Sequence, residues 1–445
     1  MKKLFSMVLM IMLIFSLTAC NNTELNEKLS EIETLQQEVE TLQDNLGDKD
    51  NLIAEYESEI DNLEAQIAAL QSQIYDNIIT VTYEDYYGDY RSTSVGYNDD
   101  YEGNLFELLE TEFSIDADDT DYGKMITSFE HLTPLNGAYI AFYKNGEMSM
   151  TGVEATSFEN GDVFGFTVEY WDAFEQQVDD AIQLFLINHV NDYVNETTYN
   201  YHVVSALNLL GILEEYTTNE AIETYVEGLT LETYSDYFKA IALLNASNND
   251  ATTYISDLAN IAQTGPYGQT AYTLMALNSV DTDVDFTTFE SNALSYFTNN
   301  TPYDAGLDTG GVDLMALSKY TDETGVDTLI NDYLNWVKTD QLDNGGIMTR
   351  DMGWGSTLNA ASISQVLMGM MANGVNPRSA EYTTNDNTLI DALLLFQTDT
   401  GSFDWVLTDD TNEDLLFSTP QAFLALVMYQ KISNEGTAVH PFDAE

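Results

Sequence analysis

Cysteine is almost absent. Cys20 is the only one in 445 residues, so no intrachain disulfide can form. Basic residues are scarce, with 13 Lys and Arg against 75 Asp and Glu. So acidic a chain repels nucleic acid and anionic membranes, and no nucleic-acid partner is expected. The four histidines (His131, His189, His202, His440) show no metal-ligand spacing, and no metal is expected. No P-loop, Rossmann fingerprint or Ser-His-Asp arrangement occurs. No apolar run is long enough to span a membrane. The charge does not mean disorder, because 44% of residues are hydrophobic and 12% aromatic. The length suits two or three domains.

The first twenty residues carry an address. Met1-Lys2-Lys3 is a short basic region, 4–17 is almost wholly apolar, and Leu17-Thr18-Ala19-Cys20 follows at once. This pattern reads as a secretory signal over 1–19. Its end resembles the bacterial lipobox, which implies a lipid on Cys20. The expectation is a protein anchored by lipid to the extracellular face of a bacterial cell membrane. The alternative is an ordinary signal with a stray cysteine. Without Lys2 and Lys3 the chain carries 64 net negative charges, which we read as a matter of solubility or a salty habitat.

Residues 20–77 hold the lipidated cysteine and a heptad repeat. The a positions are Leu25, Ile32, Val39, Leu46, Ile53, Ile60, Ile67 and Ile74. The d positions include Leu35, Leu42, Leu63 and Leu70, with Lys28 and Lys49 weakening the seam. Ile or Val at a with Leu at d favours a parallel coiled-coil homodimer. Such a stalk would be a rod of roughly 75 Å. A single charged helix, or a hairpin folded at Gly47, is the alternative.

From residue 78 the period changes. "IITVTYEDYYGDY" alternates as a strand does, and "NLFELLETEF" has helical spacing. "AYIAFYKNGEMSM" reads as a hairpin turning at Asn145-Gly146, and "SFENGDVFGFTVEYW" as a turn and a last strand. A small α+β domain over 78–172 follows. The aromatic "YIAFYKNGE" hairpin and the closing "ENGDVFGFTVEYW" look like the small β domain of the transcobalamin family.

Over 173–432 helices take over and a plan repeats: a Gly-rich or polar turn, a Thr or Ser, then an apolar helix. The clear copies lie at 264–280, 304–320, 351–370 and 417–429, with weaker ones at 199–212 and 237–247. Amphipathic helices are expected between them at 289–297, 326–337 and 389–396. Apolar helices inside and amphipathic ones outside bury one continuous core when they close a ring. Thr or Ser would cap the inner helices. "QTDTGSFDW" followed by "STPQAFLALVMY" resembles the repeat of the α/α-toroid superfamily, which includes prenyltransferases, terpenoid cyclases, the complement thioester domain and the transcobalamin α domain. "LDTGGVDLMAL" resembles the transcobalamin version. The whole expectation is multidomain: coiled-coil helix, small α+β domain, all-α toroid, and a tail at 433–445.

The catalytic branches of that superfamily can be tested on residues. A prenyltransferase zinc site and a thioester both need a cysteine, and none lies in the barrel. The Asp of a class II cyclase sits in D-x-D-D. Asp116-Ala117-Asp118-Asp119 matches, but it precedes every toroid helix and reads as a solvated loop. "DTDVD" (281–285) lacks the Gly and the bidentate Glu of a calcium loop. No catalytic residue and no required cofactor are therefore expected, and the chain reads as a non-enzyme. A carbohydrate-active toroid enzyme would need paired carboxylates at the barrel mouth.

The expected contact residues for a small ligand stand at the inner-helix starts: Tyr201, His202, Tyr267, Gln269, Asp308, Thr309, Trp354, Ser356 and Ser418, with Trp405 near the last turn. Aromatic walls with a few polar groups suit a small-molecule pocket. The transcobalamin resemblance implies a cobalamin-like corrinoid held between toroid and β domain, although the β domain here comes first. The alternative is a structural or adhesive surface protein whose toroid binds protein or glycan.

Overall fold

A computed structural model describes residues 74–84, 90–120, 123–130, 132–134, 137–262, 270–351, 355–408 and 412–444. The expected signal, Cys20 and nearly all of the heptad stalk lie outside the described residues. The chain divides into two compact units. Among the described residues, the first holds 74–81, Thr93–Asn104 and Ser157–Val163; the second holds Thr82–Ser92, Leu105–Thr156 and Phe164–Glu445.

The sheet region contains strands β1 (Asn77–Glu84) and β2 (Tyr90–Tyr97), helix α1 (Leu105–Leu109), and strands β3 (Ile115–Thr120) and β4 (Gly123–Phe129). Strands β5 (Ala138–Lys144), β6 (Glu147–Met148) and β7 (Val163–Tyr170) follow. The larger sheet has the order β2-β1-β7-β5-β6. In the first unit, Ile79, Val81 and Val95 are buried and Tyr97 packs edge-on to Phe158. In the second, β5 and β7 pair antiparallel, and Phe129 stacks on Phe166 at 4.2 Å. The hairpin turns at Asn145-Gly146, both with positive φ (54° and 81°), as an Asn-Gly turn demands. Asp116–Asp119 differ from expectation. They are strand rather than loop, paired with β4, and Asp119 bridges the Lys124 ammonium at 3.1 Å.

Helices make up the remainder. Those that form the inner ring are α3 (Tyr201–Leu210), α5 (Tyr234–Ala246), α7 (Thr270–Leu277), α9 (Leu307–Leu317), α11 (Ala360–Ala372) and α13 (Ser418–Glu435). Each packs on the next, and α13 returns to α3, so the ring closes. Six further helices flank it: α2 (Ala173–Asn188), α4 (Asn219–Glu227), α6 (Thr252–Ala262), α8 (Thr287–Asn299), α10 (Val326–Asp340) and α12 (Leu389–Leu394). The molecule is thus helix-rich with a small sheet region, and its helices form an α/α toroid. All six sequence copies are inner helices, the two weaker ones included. The burial difference explains the two sequence types. Helix α11 is buried on nearly every side, whereas α10 buries one stripe at Val326, Ile330, Tyr333, Leu334 and Val337.

Caps follow a different chemistry from the one expected. Asn200 caps α3, Asn359 caps α11, and only Thr233, in a capping box with Asp236, fits the Thr/Ser expectation among these. At α13 the side chain of Asp414 does the work. Its Oδ1 accepts from the Leu416 and Phe417 amides, and its Oδ2 accepts from the Ser418 amide and hydroxyl. A carboxylate satisfies several orphan N–H groups at once and complements the helix dipole, which a hydroxyl cannot.

Two features set the interior. Helices α9 and α11 meet through glycine: a Cβ on Gly311 would lie 2.4 Å from the Gln365 carbonyl oxygen, and one on Gly369 would lie 2.5 Å from the Gly311 carbonyl oxygen. Only residues without a Cβ permit that approach. The tail after Gly436 folds back across the C-terminal ends of α5, α7 and α11. The Val439 amide donates to the Met371 carbonyl, the Asn245 amide to the Phe442 carbonyl, and the Ala444 amide to the Ser279 carbonyl. Phe442 is buried, its ring 5.2 Å from that of Phe238.

Candidate functional site

The N-terminal ends of α7, α9, α11 and α13 surround a cavity of about 990 Å³. Every described lining residue falls between 270 and 421, within the helical barrel. Helix starts concentrate here because the inner helices run parallel around the ring. Their N-termini carry partial positive charge.

Helix α9 supplies Asp308, Thr309 and Asp313. Asp308 and Asp313 are five residues apart, about 7.5 Å along the axis. Asp313 is 6% exposed, and burial pushes its carboxyl up to about 7. It can therefore hold a proton near neutral pH. Tyr272 of α7 stands on the same wall. Burial raises its hydroxyl, with the Asp308 and Asp313 charges adding to the effect. Helix α11 adds Ser362 and Gln365; the glycine contact with α9 sets Gln365 beside that helix.

The loop before α13 completes the mouth. It begins at the Gly401 turn, where φ is +91° and a Cβ would sit 2.7 Å from the Leu184 carbonyl carbon. The Phe403 amide donates to the Thr419 hydroxyl, which ties the loop to α13. The Trp405 amide donates to the Asn412 carbonyl, and the Ala360 amide donates to the Trp405 carbonyl, which ties it to α11. These anchors hold Trp405, Glu413 and Asp414 at the cavity. Glu413 accepts from the Ser402 and Thr400 hydroxyls. Trp405 is 46% exposed and Phe417 61% exposed, so both offer ring faces to a ligand.

Among the residues expected at the site, Asp308, Thr309 and Trp405 line the cavity. Tyr201 and His202 do not. Their rings lie 3.9 Å apart and pack with Phe442, and burial lowers His202 to about 3, so it is neutral. Ser418 is buried and spends its hydroxyl on Asp414. Ser356 is exposed and away from the lining. Tyr267, Gln269 and Trp354 lie outside the described residues. The sequence reading passed over Tyr272, Asp313, Gln365, Glu413, Asp414 and Gln421. A signal existed for two of them. Asp313 in "GGVDLMAL" and Gln365 in "ISQVLMGM" are polar residues in otherwise apolar helices, which burial alone would disfavour.

No protein-family model and no curated protein matches the chain. Solved structures do resemble it. A protein of Ruminococcus gnavus ATCC 29149, described as a candidate metal binder, is 26% identical over 22% of this chain and 99% of its own, with a TM-score of 0.20. A candidate GH105-family member from Salmonella enterica serovar Paratyphi A is 13% identical over 60% of this chain and 96% of its own, at 0.41. A type II terpene cyclase from Scytonema is 15% identical over 58% and 99%, at 0.39. Scores below 0.5 transfer no activity. Nothing here supports a corrinoid ligand or a likeness to transcobalamin. The expectation of a non-enzyme is corrected to this extent: structures that resemble the chain include proteins described as enzymes, so the expectation does not stand, and the likeness assigns no activity in its place.

Proposed function

We propose that this toroid binds a carbohydrate in its mouth and cleaves a glycosidic bond there, with Asp313 as the proton donor. The observation that carries the reading is Asp313 itself, a buried carboxyl at the wall of an aromatic-rimmed cavity, held at about 7 by burial. Glycoside cleavage needs an acid that stays protonated near neutrality beside a second carboxylate. Asp308 is the second group on the same helix. The Trp405 and Phe417 rings suit the apolar faces of sugar rings, and the wall's amides and hydroxyls suit their hydroxyls. The lipid on Cys20 and the dimeric stalk remain part of the proposal and rest on sequence; palmitate labelling and sedimentation of the full chain test them.

The test is a panel of oligosaccharides covering neutral, amino and acidic sugars, read for binding by calorimetry and for cleavage by reducing-end release. Wild type is expected to bind and cleave at least one. Asp313→Asn is expected to bind it and lose at least about 100-fold in rate. Cleavage should fall as pH rises through about 7, where Asp313 loses its proton. A panel with no ligand refutes the reading, and a ligand cleaved equally by both proteins refutes the role of Asp313.

A further inference from the structure

The chemistry of the cavity wall selects among sugars, and this argument rests on the carbohydrate reading above. The described lining includes four carboxyl groups, those of Asp308, Asp313, Glu413 and Asp414, and no Lys, Arg or His. Five of the toroid's six Lys and Arg residues are occupied elsewhere, and the sixth, Lys239, is exposed on α5, off the described lining. Lys319 pairs with Asp443, Lys338 with Glu381, Arg378 with Asp172 and Glu175, and Lys431 with Glu435. Arg350 lies over the Tyr303 ring at 4.3 Å and donates to the Tyr303 carbonyl.

A second observation is independent of charge. Gln365 is 5% exposed and lines the cavity, and its Oε1 is buried without a hydrogen-bond partner. Gln421 Oε1, also on the wall, is in the same state. A buried carbonyl left unpaired costs free energy unless something in the cavity donates to it. Two such acceptors, beside carboxylates and without a cation, describe a site completed by a donor-rich ligand.

We propose that the substrate is an amino sugar oligomer with a free ammonium group, and that sugars bearing carboxylate or phosphate are excluded. Glu413 pairs with the ammonium, and Gln365 accepts from a sugar hydroxyl or N–H. A uronate would set a carboxylate against this wall with no Lys, Arg or His to meet it; the starts of α9 and α13 are already faced by Asp308 and Asp414, and an unpaired charge facing like charges is costly in a partly desolvated site.

The experiment titrates the full chain with three tetramers: glucosamine, β-1,4-linked glucose and galacturonate. The expected order is glucosamine at least about tenfold tighter than glucose, with galacturonate undetectable. Glu413→Gln should bring glucosamine down to the glucose level. Gln365→Met should weaken both by about tenfold without lowering Tm, because it removes an acceptor that the unliganded protein leaves unpaired. Galacturonate binding as tightly as glucosamine overturns the inference. So does glucosamine binding no tighter than glucose, or Gln365→Met binding both like wild type. If the broad panel contains only an acidic ligand, this inference fails and the carbohydrate reading survives. If no saccharide binds at all, both fail.

Discussion

Replacing Asp313 by Asn should make the protein more stable while it destroys the proposed chemistry. In the unfolded chain this carboxyl loses its proton near the ordinary 3.8, and in the fold it holds the proton up to about 7. Between those values the folded state binds more protons than the unfolded, so stability falls as pH rises. The loss begins near pH 4, grows to about 2 kcal/mol at pH 5 and reaches about 4 kcal/mol above pH 7. That figure is a ceiling, because water entering the cavity relaxes part of the cost. Asn has nearly the same shape and no charge to desolvate. The variant and wild type should therefore match near pH 3.5 and diverge steadily, with the variant ahead by about 2–4 kcal/mol at pH 8. Urea unfolding at pH 4, 5, 6.5 and 8 measures this directly. Comparing the two proteins at each pH cancels the many other acids of the chain. A constant difference across that range, or a variant less stable at pH 8, refutes the account of Asp313 as an uncompensated buried acid. Such a residue is a natural place for stability and activity to oppose one another.

Three further outcomes follow from the packing. Gly311→Ala puts a Cβ 2.4 Å from the Gln365 carbonyl and forces α9 and α11 apart; a loss of about 1–3 kcal/mol in urea midpoints is expected, and a neutral result would refute the close crossing. Phe442→Ala empties a site 5% exposed among Tyr201, His202 and Phe238; a loss of about 3–5 kcal/mol is expected, and hydrogen exchange should rise at the C-terminal ends of the inner helices. A tail that merely lies on the surface would show neither. Trp405→Ala should leave Tm within a degree or two, since its ring is half exposed, and weaken sugar binding by about tenfold; unchanged affinity would remove it from the site.

The toroid was legible because its signal is local. A helix apolar all round and a helix with one apolar stripe differ within a dozen residues, so "FSTPQAFLALVMY" and the 326–337 segment could be told apart by eye. The two weaker copies counted fully in the ring because closure depends on shape and burial rather than on repeat spelling. The site was less legible. Of the residues expected at the helix starts and the last turn, Asp308, Thr309 and Trp405 line the cavity. Tyr201 and His202 also stand at a helix start, yet the tail's Phe442 packs against them. That contact joins residues more than two hundred positions apart, and nothing near either one announces it. The caps misled in a similar way: Ser418 looked like a cap, while the group that caps is the Asp414 carboxylate four residues earlier.

By itself the sequence determined the inner and outer helix classes, the Asn145-Gly146 hairpin, the single cysteine and the surplus of acid, because composition and period need no partner to be read. Only the tertiary structure decided which acids gather at one cavity. It did so by closing the ring, which gathers helix starts from Thr270 to Gln421 around one cavity. It also buries Asp313, one aspartate among many, where desolvation rather than sequence sets its proton affinity.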